Sequence, residues 1–563
     1  MLMNSGGVIS PDHKQRLARG VAALERRGPD FQGTLYYQNI ALAHTRLAIL
    51  DLNERSNQPY SVGDWIISFN GEIYNHLDIR KEIGQRYQFK THSDTETLCA
   101  SLEIFGLKKT LTRIAGMFAF IAVNKRTSEV HLIRDHMGIK PLLYATDSNE
   151  LIVASSLKAV LDMKGVKGKE SSQSANSLFL LGAPFLNETM VEGVCRVPPA
   201  HCLTFDFQGR KISEFRFWKP KYRRKRNLDE IIPVFMEYAV SDVRSSLLLS
   251  GGVDSSFLAS LYQDKLECFH LQSPETDYAQ AVCDRFDLPL NIVRPETKNY
   301  YEDLDAALDF HHEPLMSLGI PLSVCSEISK SGIKMAISAN GADELLLGYP
   351  RTPAPELRNS QKVLNEQECY DSHIKQIRNI FRSSENYNFS HKRFNGVSTA
   401  DMQDFMEGNY LDEEFPASAH FRWFELHSYV LHDLNPTLDA ASMFHSIEVR
   451  VPFLDHRVVE FFLSFDANEL IDLAFHRKAP IKRHLSKYFP ETFYNRPKLG
   501  FSLNRKHQSE ILNKVMRGLT NLENSGEIKF CPSEMALGEI ERDRQYIAST
   551  YYAYQRWSNL RDA

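Results

Sequence analysis

The 563-residue sequence predicts an α/β protein built in two parts. Up to about Trp218, short apolar runs alternate with turns, as in TLYYQ at 34–38, WIISF at 65–69 and MFAFIAV at 117–123. That is the texture of stacked β-sheets with a few helices. From 245 onward, strand-like runs alternate with helical periods, the pattern of a doubly wound parallel sheet covered on both faces. The length agrees with more than one core, because single cores stop growing at about 250–300 residues.

The charged stretch KPKYRRKRNL at 219–228 interrupts the first pattern and is expected to be a solvated linker. The expected division is therefore 1–218, the linker 219–228, and 229–563. After the linker, SSLLLS at 245–250 is an apolar run stopped by Gly251 and Gly252, and Phe257, Leu258 and Leu261 follow at helical spacing. LECFHLQS at 266–273, a helical stretch at 279–286, LNIVRP at 290–295 and IKMAISAN at 333–340 continue the alternation. Beyond about 355 the sequence is mostly helical in character.

Composition narrows the function classes. With 66 Lys plus Arg against 71 Asp plus Glu, the chain carries no polybasic field, so neither nucleic acid nor an anionic membrane is expected as a main partner. No run approaches the roughly 18 apolar residues of a membrane span. MLMNSGGVIS at the start lacks the charged and apolar parts of a leader, so a cytoplasmic protein is expected. The eight cysteines are scattered without a CxxC pair and are expected to be small buried thiols.

Most of the chemistry is carried by SGGVDSS at 250–256. It follows an apolar strand and opens a helix, so its glycines let backbone amides approach an anion at a helix N-terminus. Ser250, Ser255 and Ser256 add hydroxyl donors. The string has no Walker lysine, and it carries Asp254, which faces phosphate favourably only across a cation, with Mg²⁺ the natural choice.

SGGVDSS in this context resembles the ATP pyrophosphatase family, and within it the asparagine synthetase branch, in which an N-terminal glutaminase domain precedes the synthetase domain. SANGADELLLGYPR at 338–351, SMFHSIEVRVPFLDH at 442–456 and RPKLGF at 496–501 are similar to its second loop, helical signature and C-terminal lysine motif. RRGPD at 26–30, HTRLAILD at 44–51, FNGEIYNH at 69–76, SDTE at 93–96 and RDHMGIKPLLY at 134–144 are similar to the glutaminase domain, an Ntn-type sandwich.

The resemblance implies that ATP lies on Ser250, Gly251, Gly252, Asp254, Ser255, Ser256, Ser338 and Ala339, with Leu248 and Leu271 bordering the adenine. It implies Mg²⁺ on Asp254 and Asp343, and Lys498 neutralising the phosphates while a carboxylate is adenylated. In the first half it implies a glutamine pocket of Arg46, Asn70, Gly71, Glu72 and Asp94. The partners implied are a small-molecule carboxylate and a nitrogen donor, with a homodimer and a separate ammonia source both open.

Two positions depart from the family pattern. Leu2 stands where the exposed cysteine nucleophile belongs, and leucine cannot attack an amide; either hydrolysis is lost, or the working protein starts at a different residue, or glutamine is bound without being cut. Asn340 stands where asparagine synthetases present a glutamate base, and asparagine is no base near neutral pH. Three readings stay open: an aspartate-amidating ligase, an amide-forming or cyclising ligase of specialised metabolism similar to β-lactam synthetases, and a silent regulatory homologue. Elsewhere, Glu448 and Arg450 are expected to form a structural ion pair beneath the site. His311, His312 and Glu313 are expected to be structural or substrate-lining, and Met443, Phe444 and IASTYYAYQRW at 547–557 core-facing.

Overall fold

The computed structural model describes residues 1–349 and 411–496, apart from 148, 182–183, 185–186, 224–226, 264–265, 295–296, 316, 413 and 473, together with 553–554 and 557–558. In chain order the first half runs β1 (Leu2–Asn4), β2 (Phe31–Tyr37), β3 (Ile40–Arg46), β4 (Tyr60–Val62), β5 (Trp65–Ile73), β6 (Gly116–Asn124), β7 (Glu129–Arg134), β8 (Leu143–Thr146), β9 (Glu150–Ala154), β10 (Cys195–Arg196), β11 (His201–Asp206) and β12 (Lys211–Arg216). They form two antiparallel sheets, β10-β8-β9-β1-β3-β2 and β12-β11-β7-β6-β5-β4.

The period-2 pattern of β6 explains the stacking. Ala119, Ile121 and Val123 join Met3, Ile40 and Leu42 of the other sheet in one core. Phe118, Phe120 and Ala122 point the opposite way, into a cluster with Leu98 and Leu102 of the helix Asp94–Phe105. Leu2, Ala41 and Ile152 likewise meet Leu17 and Val160 on the outer face of the first sheet. The layers are therefore helix, sheet, sheet, helix. Both faces of β6 are buried, which is why MFAFIAV reads as a continuous apolar run.

The second half holds β13 (Ser245–Leu248), β14 (Glu267–Leu271), β15 (Leu290–Val293), β16 (Met335–Ile337) and β17 (Glu448–Arg450) in the order β15-β14-β13-β16-β17, every pair parallel. The order reverses between β13 and β16, and ligands of such sheets bind outside the carboxyl ends of the strands at that switch point. β17 lies inside SMFHSIEVRVPFLDH, the string similar to the family's helical signature, so that string is only partly helix. A helix ends at Phe444, Glu448–Arg450 pairs with β16, and a new helix begins at His456. Three residues are too few to display a strand period. The chain continues through a hairpin of β18 (Ile471–Asp472) and β19 (His476–Arg477) into the helix Ala479–Leu485.

Trp218, just before the expected linker, and Arg223 within it are docked. Trp218 Nε1 donates to Glu460 at 2.8 Å, Arg223 Nε donates to the same carboxylate at 2.7 Å, and Arg223 N donates to Ser464 Oγ at 3.0 Å. Among the described residues, no helix is long and apolar enough to cross a membrane. Six cysteines are described and all are free thiols; Cys369 and Cys531 lie outside the described residues. Met443 and Phe444 are buried, and Trp557 lies in the cluster around Leu2, while most of 547–557 lies outside the described residues.

Candidate nucleotide site and the amidotransferase-type pocket

SGGVDSS forms the turn after β13 and the start of the helix Val253–Leu261. Gly251 has φ +81°, and a Cβ there would lie 2.7 Å from Glu275 O, so glycine alone fits. The serines close the turn on itself: Ser250 Oγ and Ser255 Oγ are 2.9 Å apart, Gly252 N donates to Ser250 Oγ at 3.1 Å, and Ser256 Oγ donates to Gly252 O at 2.7 Å. Leu248 and Leu271 end the adjacent strands β13 and β14, and Ser338 and Ala339 follow β16. Ser338 N donates to Arg450 O at 2.9 Å, and Ser338 Oγ donates to Asn340 Oδ1 at 3.0 Å. The two sequence-predicted loops thus flank the switch point.

Asp254 and Asp343 are brought together there, around a cation that the sequence analysis did not single out. Lys478 Nζ is paired with Asp254 and lies 2.6 Å from Asp343 Oδ1. The two carboxylates raise the Lys478 pKa against the opposing effect of its burial. Lys478 has φ +63° and ψ +33°, a left-handed conformation that costs a lysine about 1–3 kcal/mol. Nothing in the string HRKAP signals it. Lys498 lies outside the described residues.

Arg496, the first residue of the RPKLGF string, clamps the cradle. It donates to Gly251 O at 2.8 Å, pairs with Glu275 at 2.5 Å and lies 3.7 Å above the Tyr278 ring. Beside Asp343, Glu344 accepts from Tyr349 Oη at 2.7 Å, and burial raises its pKa to about 7.

In the first half, Asn70, Gly71 and Glu72 lie on β5. Gly71 has φ +136°, and a Cβ would come within 2.0 Å of Met117 O on β6. Asn70 lines a cavity of about 80 Å³ with His44, Arg27 and Met1. Asp94 Oδ2 accepts from Ile73 N at 2.9 Å, and burial raises the Asp94 pKa to about 6. Arg46, expected to face a substrate carboxylate, turns its terminal nitrogens to its own loop: Asn53 O at 3.0 Å, Asn57 Oδ1 at 2.8 Å, Leu50 O at 3.3 Å and Asp51 O. Leu2 is fully buried in the outer apolar cluster. Glu313 is taken by Arg196 and by Met190 N at 3.1 Å.

A glutamine amidotransferase domain model matches residues 5–218, and an asparagine synthase model matches residues 236–560. The chain belongs to the asparagine synthase family. Membership makes it a carbon–nitrogen ligase of the ATP-dependent, amide-forming kind. It is 27% identical to asparagine synthetase [glutamine-hydrolyzing] 1 of Bacillus subtilis, across 88% of this chain and 85% of that protein. Asparagine synthetase [glutamine-hydrolyzing] 3 of the same organism is 27% identical over 80% of this chain and 78% of its own length. Amidase chry2 of Gibberella zeae is 27% identical over 62% of this chain and 58% of its own length.

Proposed function

We propose that this asparagine synthase family member adenylates a small-molecule carboxylate, aspartate by default, and amidates it with ammonia. A substrate oxygen attacks the α-phosphorus of ATP, the bond to the β-phosphate breaks, and pyrophosphate leaves. Nitrogen then attacks the acyl carbon and AMP departs. The observation that carries this reading is the convergence of Asp254 and Asp343 on one cation at the switch point. A pair of carboxylates already gathered around a positive charge is a donor set suited to Mg²⁺. When bound, Mg²⁺ neutralises charge on the departing phosphates.

The chain's own groups do the rest. Gly251 and Gly252 open the backbone to phosphate, the helix Val253–Leu261 directs its N-terminus there, and Leu248 and Leu271 border the base. We assign the glutamine-type pocket to Asn70, Gly71, Glu72 and Asp94; Leu2 supplies no nucleophile to it in this sequence, so free ammonium or a separate source is the expected nitrogen donor. This reading keeps the division 1–218, 219–228 and 229–563 and a cytoplasmic setting.

Asn340 favours a second reading. The proton shed by the attacking nitrogen has no carboxylate at that position, and Asn340 Oδ1 is held by Ser338. An amine-bearing acceptor of specialised metabolism, closed or joined through an amide, fits that substitution. The test is AMP and pyrophosphate release with ATP, Mg²⁺ and aspartate, offering ammonium and glutamine separately. Turnover with ammonium alone is expected. Turnover with glutamine would overturn the loss of glutaminase, and silence with both donors would reject aspartate as the acceptor.

A further inference from the structure

We propose that the Lys478 ammonium is a resident counter-cation, occupying the place between Asp254 and Asp343 that a divalent metal takes, and that metal entry releases it. This rests on Asp254 and Asp343 being the metal ligands of the reading above. Lys478 is 5% exposed, with Nζ bonded to Asp254 Oδ2 and 2.6 Å from Asp343 Oδ1. One ammonium therefore bridges two carboxylates that would otherwise repel one another across the switch point, offsetting one of their two charges.

The surrounding backbone is bent to deliver it. His476, Lys478 and Leu347 all have positive φ, at 55°, 63° and 52°. Arg477 Nη1 donates to Leu347 O at 2.8 Å, tying the β18–β19 hairpin to the second loop. Gly348 backs the trio so closely that a Cβ would lie 2.1 Å from Asp343 Oδ1 and 2.2 Å from Lys478 Cε. Three non-glycine residues in a sparsely populated conformation around one ammonium form an arrangement held in place by its neighbours. The lysine also opens the helix Ala479–Leu485, which packs on the cradle helix through His484, 3.1 Å from Ser260 Oγ and 5.2 Å from the Phe257 ring. A released ammonium on this stem stays beside the phosphate cradle.

Competition for one place between two cations is directly measurable. Binding of Mn²⁺ to the nucleotide-free protein is followed by electron paramagnetic resonance. Lys478→Met is expected to bind Mn²⁺ at least tenfold more tightly than the wild type, Lys478→Arg to remain weak, and Asp254→Asn on the Lys478→Met background to abolish the gain. In the unmodified protein, pulse acetylation of Lys478 read by peptide mass spectrometry is expected to rise several-fold as Mn²⁺ is added. Unchanged or absent Mn²⁺ binding in folded Lys478→Met, or unchanged Lys478 labelling in the wild type, would overturn the proposal. Pyrophosphate release is measured alongside. Its absence with aspartate rejects the aspartate-adenylating reading and leaves the cation exchange standing; its presence without cation exchange rejects the exchange alone.

Discussion

Arg450 Nη2, fully buried in the last strand of the parallel sheet, lies 2.9 Å from Glu72 Oε2 on β5 of the first half. Its Nε pairs with Glu448 at 2.9 Å, its Nη1 donates to Tyr238 O at 3.1 Å and Val240 O at 2.6 Å, and its own carbonyl accepts from Ser338 N. One residue thus joins β5 of the first half to the loop after β16 that carries Asp343. The ion pair expected beneath the site is present, with Glu72 as a third member. Burial raises the Glu72 pKa strongly, and the Arg450 charge opposes that rise.

Removing Arg450 would leave Glu72 buried without its paired cation and Glu448 with only Lys140, 3.9 Å away. Breaking a buried pair in this way costs about 3–5 kcal/mol. Arg450→Met is therefore expected to lower the chemical denaturation midpoint by a corresponding amount. Arg450→Lys is expected to recover little, because a single ammonium cannot reach two carboxylates and two carbonyls in the guanidinium's fork geometry. A loss below about 1 kcal/mol would show that the Arg450 cluster adds little to the other pairs between the halves, such as Arg27–Asp439 at 2.7 Å.

Asp94 gives a pH dependence of definite sign. Burial raises its pKa from 3.8 to about 6, so the folded protein favours the neutral carboxyl. The stability this confers is complete below about pH 3.8, where both states hold the proton, and is lost as pH rises through about 6. Asp94→Asn retains a carbonyl acceptor for Ile73 N and cannot ionise. Each pKa unit corresponds to about 1.4 kcal/mol, so the variant is expected to gain roughly 2 kcal/mol over wild type between pH 4 and 7. Urea denaturation of both proteins at the two pH values checks it, and an unchanging difference would mean that Asp94 is hydrated.

Local pattern revealed what is local. SSLLLS followed by two glycines and a helical period located β13, the cradle and the helix behind it, because strand, turn and helix signals lie within one short stretch. β17 escaped because three residues display no period, although its Arg450 reaches across to Glu72 of the first half. The Arg450–Glu72 pair spans 378 positions, and no periodicity links positions so far apart. Lys478 was illegible for another reason: its role depends on a left-handed backbone at a lysine, which residue preferences argue against. Arg46 kept its expected place at the end of β3, yet only tertiary structure could reveal that its own loop occupies its terminal nitrogens.

Arg496 supplies the sharpest test of the cradle. Its Nη2 holds Gly251 O at 2.8 Å, its Nη1 holds Glu275 at 2.5 Å, and its plane lies 3.7 Å above Tyr278, which fixes the glycine turn against the helix Thr276–Phe286. Lysine carries the same charge but neither forks between a carbonyl and a carboxylate nor stacks on a ring in the same way. Arg496→Lys is therefore expected to loosen the turn that receives phosphate, raising KM for ATP about tenfold, equivalent to about 1.4 kcal/mol of binding, with a smaller change in kcat. Arg496→Ala also leaves Glu275, 5% exposed, without its partner, and should lower stability by about 1–3 kcal/mol in addition. Pyrophosphate release against ATP concentration separates the two effects. An unchanged KM in Arg496→Lys would mean that the serine hydrogen bonds alone hold the turn, since Ser250, Ser255 and Ser256 close it without any help from the guanidinium.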